Sequence, residues 1–337
     1  MQKPKLENLT KLGELDGAPS KKILRNSAAN TPYEYALAEI IDNCLDYWRE
    51  TGCKHELKID FKPPNEQNGK YLIEWNMGVP QDRFLALLKP GLTIHPVGGM
   101  IGVWGEGFKS AVFSMGDGVD IYTNDGKMGF LIPIPKGYLT SETWKVPYYE
   151  NDEFKEKNMT RIVLDEPATT IYSKWPTDHK PVVQFLGEIF GVRIRQEEKM
   201  GHKVHITYSG ERITPITYTE SDEELKRNFS FPPGFEPKIE IHELDGGLRI
   251  KIISGLLPEQ STEKYGVFMY GNGRLFATSL HDRRVGYGTR GRASLPAYEP
   301  RIMKIQTHIF FDALEPGVQQ HIPWTAPLKN DFNENSM

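Results

Sequence analysis

One helix constrains this chain more than any other feature. The segment PYEYALAEIIDNCLDYWRE, about residues 32 to 50, has the spacing of an amphipathic α-helix. At the helical period Ile40, Ile41, Cys44, Leu45 and Trp48 share one side, while Glu39, Asp42, Asn43 and Asp46 gather on the other. Thr31-Pro32 supplies a cap and a first-turn proline, with Glu34 three residues after Thr31 in capping-box spacing. The apolar side demands a packed layer to lie on. Taken alone, the polar side is a solvated face.

The layer is supplied by strands. ELKIDFKP alternates apolar and polar residues, and YLIEWN, VDIYTN, GFLIPI and TRIVLD are further strand patterns, with an aromatic loop before the last. A composition break at KWPTDHKP, near residue 178, marks a domain boundary. Beyond it VVQFLGEIFG is helical, and KVHITYSGERI, KIEIHEL, LRIKIISGL, YGVFMYGNGRLF and IMKIQTHIFFD are mostly strands. The expected organisation is an N-terminal arm over 1–30, one domain over 31–177 and a second over 178–337, both α+β. At 337 residues the chain is long enough for two such cores. With only Cys44 and Cys53 no disulfide framework is built, which suits a reducing compartment. No apolar run reaches the roughly 18 residues of a membrane span, and the start lacks the apolar core of a secretion signal. The expected location is cytoplasmic, or nuclear in a eukaryote. A net charge of −4 leaves nucleic-acid binding to local patches.

A second motif changes the reading of the first. GVWGEGFKS, residues 102 to 110, sets three glycines ahead of an apolar helical pattern. Glycine lets another group approach the backbone, and free amides at a helix start attract phosphate. Alone the pattern is weak. Its order is more telling: a helix with Glu39 and Asn43, a strand ending in the turn Trp75-Asn76-Met77-Gly78, the glycine segment, then a strand opening Thr160-Arg161.

These four motifs resemble, in order, those of the GHKL superfamily of gyrase, heat-shock chaperone, histidine kinase and MutL proteins, and within it the MORC-type ATPases. FLGEIFGVRI, GVFMYGNGRLF and IPWTAPLKNDFN are similar to pieces of the MORC transducer, so the resemblance covers about residues 27 to 332. It implies a Bergerat-type α/β sandwich that binds nucleotide, followed by a ribosomal-protein-like α/β transducer domain. It also implies magnesium-dependent ATP hydrolysis and an ATP-dependent homodimeric clamp. In that scheme Glu39 is the general base and Asn43 the magnesium ligand. Asn76, Gly78 and Thr160 lie beside the base, Gly102, Gly105, Gly107 and Lys109 at the phosphates. Lys329 reaches the γ-phosphate from the second domain. Asp42 and Asp46 are supports, and Lys109 is as readily a solvated lysine.

The sequence departs from the family pattern at the base-side turn. The usual Asp-x-Gly-x-Gly is Asn76-Met77-Gly78-Val79-Pro80 here, and an amide can serve either purine. ATP and GTP both stay open on that ground. A glycine-rich loop with Arg283, Arg284, Arg290, Arg292 and Tyr287 would contact DNA phosphates, or is a solvated loop. The competing reading is a nucleotide-sensing module with negligible turnover that signals to a companion protein.

Overall fold

The computed structural model describes residues 10–16, 21–65, 69–89, 98–102, 107–168, 175, 178–217, 238–244, 246–288, 295, 299–324, 329 and 331. They divide into two compact units. The first comprises residues 1–95, 104–183 and 202–213, the second residues 96–103, 184–201 and 214–337.

The first unit is built on a nine-stranded sheet of β1 (Lys11–Asp16), β2 (Leu57–Lys62), β3 (Tyr71–Trp75), β4 (Val119–Asn124), β5 (Gly129–Ile134), β6 (Lys145–Glu150), β7 (Met159–Leu164), β8 (Val204–Tyr208) and β9 (Glu211–Arg212). Their order is β1-β6-β5-β4-β7-β3-β2-β8-β9, antiparallel except where β8 runs parallel to β2. Strand alternation sorts the residues. Ile59, Ile73, Trp75, Thr160, Ile162, Ile121 and Thr123 fall on one face, in register across four strands. That face carries the helix layer: α1 (Lys21–Ala29), α2 (Tyr33–Glu50) and α4 (Gly107–Met115), with α2 and α1 both packed on α4. The short α3 (Phe84–Leu88) lies near β1. Ile40, Ile41, Leu45 and Trp48 are fully buried, each removing an apolar side chain worth about 1.5–3 kcal/mol from water. The opposite face buries Tyr122, Leu131, Phe154 and Val163 together.

Three features differ from the sequence-based expectation. Residues 11–16 and 21–29 are no detached arm: β1 pairs with β6, and the Lys21 ammonium at the start of α1 donates to Ser141 Oγ (2.7 Å) and to the carbonyls of Tyr138, Ser141 and Thr143. KVPYYE, read as part of an aromatic loop, is the strand β6 that receives β1. Thr31 does not cap α2. Its hydroxyl donates back to Ser27 O at 2.8 Å, satisfying a carbonyl at the end of α1, and Pro32 takes the N-cap position of α2.

The second unit holds a five-stranded sheet of β10 (Lys238–Leu244), β11 (Leu248–Leu256), β12 (Gly266–Gly271), β13 (Arg274–Leu280) and β14 (Ile305–Ala313), ordered β10-β11-β14-β12-β13. Most of α5 (Lys180–Lys199) belongs with it. The boundary near 178 therefore needs revision. β8 and β9 return to the first sheet, and Pro96–Val103 joins the second unit.

On the open face of the first sheet Glu74 of β3 is buried between Arg161 of β7 and Lys62 of β2. Burial raises its pKa, and the hydrogen bonds and charges of Lys62 and Arg161 more than offset this, leaving it below the ordinary 4.5. A carboxylate with a lowered native pKa stabilises the fold above its unfolded value, and that contribution is lost as pH falls through the native value. Glu74→Gln should therefore lower stability at neutral pH and flatten its fall below pH 4.5, in urea titrations run against pH.

Candidate functional site

The polar side of α2 is not the wet face its sequence suggests. Glu39 and Asp42 are each 1% exposed and Asp46 is buried, because α4 packs against this helix. Gly107, the first residue of α4, sits on the Glu39 carboxylate: a Cβ there would fall on Glu39 Oε2. The spacing thus has a steric reason, since only glycine lets α4 start this close to Glu39. It places the carboxylate at the positive end of the α4 macrodipole.

Asn43, one turn along, is the member of this set that remains exposed. Its Nδ2 donates to Glu39 O within the helix. That bond uses the amide nitrogen, and the other atom of the amide is a neutral oxygen of the kind that suits magnesium. Lys109, in the first turn of α4, is 3% exposed. The solvated-lysine reading does not hold for it.

The base-side turn is held by a directional relay. Thr160 Oγ1 donates its proton to Met77 O at 2.7 Å, so in its 2.9 Å contact with Thr123 Oγ1 it is the acceptor. Thr123 Oγ1 in turn accepts from Val79 N at 2.7 Å. The register makes this possible, Thr123 and Thr160 being direct cross-strand partners on the helix side of the sheet. Tyr47 of α2 donates to Gly78 O at 3.0 Å, and a Cβ on Gly78 would strike the backbone of Asn124 and Asp125. Gly78 therefore lets the turn lie flat on the end of β4.

Two expected base-reading roles change. Thr160 is 0% exposed, and its hydroxyl is used to hold the turn. Asn76 accepts from Lys58 N and donates to Glu56 O, both at 2.7 Å, so its amide ties the turn to β2. Thr123 and Tyr47 are the residues that the sequence did not reveal. A threonine in a strand is by default only a β-former, and cross-strand register alone shows its role.

Glu39, Asn43, Asn76, Gly78, Gly107, Lys109 and Thr160 all belong to the first unit. Gly102 and Lys329 belong to the second. Gly105 lies outside the described residues. Lys329 is 3% exposed and holds a left-handed backbone, φ 49°, uncommon for a residue with a long side chain. Of the arginine cluster, Arg283 is exposed. Arg284 is held by Asp331 (2.9 Å) and Asp282 (2.8 Å), whose hydrogen bonds raise its pKa. Tyr287 is buried, unable to stack on a base. Arg290 and Arg292 lie outside the described residues.

No protein-family model matches the chain, and no curated protein does. Among solved structures it is similar to the crystal structure of the B-subunit of the DNA gyrase from Myxococcus xanthus, with a TM-score of 0.50 and 12% identity over 88% of this chain and 83% of that one. The likeness is one of fold. It accords with the GHKL fold that the ordered motifs imply. No helix among the described residues is long and apolar enough to cross a membrane.

Thr123→Val keeps the shape and removes the acceptor for Val79 N, so it should destabilise the first unit by about 1–3 kcal/mol. Thr123→Ser should restore most of that stability, as read by chemical denaturation.

Proposed function

We propose that this chain binds and slowly hydrolyses ATP with magnesium, as a GHKL ATPase of the MORC-like branch. The observation that carries the reading is the Glu39 carboxylate, buried against the first residue of α4 with Asn43 exposed one helical turn away. A phosphate at the α4 N-terminus would meet its amides. Asn43 Oδ1 would be one ligand of a magnesium ion that otherwise keeps waters and phosphate oxygens. The ion's contribution is to neutralise charge developing on the phosphates. Glu39 would orient water admitted with the nucleotide and take its proton, a role worth about a hundredfold to ten-thousandfold in rate.

In this reading Lys329 meets the γ-phosphate that ATP has and ADP lacks, so it links the nucleotide state to the second unit. ATP-gated dimerisation belongs to the same proposal. So does action on DNA, where Arg283 is the better candidate of the two described arginines, Arg284 being committed to two carboxylates.

Purified protein should release phosphate from ATP only with magnesium. Glu39→Ala should still bind and lower turnover at least a hundredfold. Gly107→Ala, which forces a methyl onto Glu39 Oε2, should lower turnover in a protein that still folds. GTP measured beside ATP reads the purine preference. Tight binding with no phosphate release above Glu39→Ala would instead establish the nucleotide-sensing module.

A further inference from the structure

The glycine segment is shared between the two units, and the crossover falls between Val103 and Trp104. Its second limb opens α4 in the first unit. Its first limb, Gly98 to Gly102, is part of the second unit, and there it is fastened from several directions. Gly99 N donates to Ala313 O at the end of β14 (2.9 Å). Arg193 Nη1 donates to Gly99 O (2.9 Å). Asn272 Nδ2 donates to Met100 O. A Cβ on Gly98 would run into Leu314 O, and Met100 and Ile101 are buried.

Asn272 is the hub of this arrangement. With Gly273 it makes the two-residue turn between β12 and β13, where Gly271 pairs with Arg274. Both turn residues have positive φ, 48° and 81°, the conformation an Asn-Gly hairpin favours. Every polar group of Asn272 is used. Its backbone N donates to Phe311 O (2.8 Å) and its backbone O accepts from Arg193 (2.9 Å). Its Oδ1 accepts from Ala313 N (2.7 Å), which leaves Nδ2 for Met100 O. The residue is 3% exposed. Turn formation alone needs the positive φ, which glycine also supplies. The amide is what reaches Met100.

We infer that Asn272, backed by Arg193, is a positioning residue for the phosphate-side glycine Gly102: it fixes the backbone two residues ahead and makes the placement of Gly102 depend on the β12–β13 turn and the end of β14. The inference rests on the nucleotide-binding role proposed above.

The test compares wild type with Asn272→Gly, which retains the turn conformation and removes both side-chain hydrogen bonds. Two readouts are taken. Without nucleotide, amide exchange over Met100–Gly102 should quicken in the variant by about threefold to tenfold, the equivalent of one lost buried hydrogen bond. In calorimetry, ATP should bind the variant about threefold to tenfold more weakly while AMP, lacking the outer phosphates, binds as before. Equal weakening of ATP and AMP, or no change in either, overturns the positioning role. Wild type binding neither nucleotide overturns the functional reading itself, and the exchange measurement still reports whether Asn272 tethers Met100.

Discussion

Much of the first unit is arranged around one buried carboxylate. Glu39 is kept from bulk water by α4, and α4 can approach only because its first residue is glycine. The cost of burying a carboxylate is lowered by the helix terminus that meets it. Around this contact the other parts follow: α2 packs on α4, Phe108 of α4 packs on Trp75 of β3, Asn43 is left as the exposed group of the row, and the threonine pair holds the base-side turn.

Much of the fold was legible in the sequence, and the reason is periodicity. β2, β3, β4, β5 and β7 each alternate or run apolar in a way only a strand explains, and α2 and α5 keep the helical period over several turns. What periodicity cannot show is partnership. β1 reads as polar because it lies at the sheet edge, and β6 was obscured by Pro147 and two tyrosines; each is a strand because the other pairs with it. The site was legible in kind rather than in placement. Gly107 sits on the Glu39 carboxylate and Asn43 bonds to Glu39 O. Asn76 and Thr160 instead turn their polar groups to the protein, because the base-side turn needs them to hold its own backbone. Thr123 was invisible, since its role depends on facing Thr160 across a strand pair.

In the second unit Lys329 is buried and holds a left-handed backbone, φ 49°, a conformation uncommon for a residue with a long side chain.

The most direct test of the central claim is a crystal structure of the protein with magnesium and a non-hydrolysable ATP analogue. The triphosphate is expected at the start of α4, with magnesium on Asn43 Oδ1 and an ordered water between Glu39 and the γ-phosphate. A nucleotide bound elsewhere, or one bound here with Glu39 facing neither water nor phosphate, would contradict it.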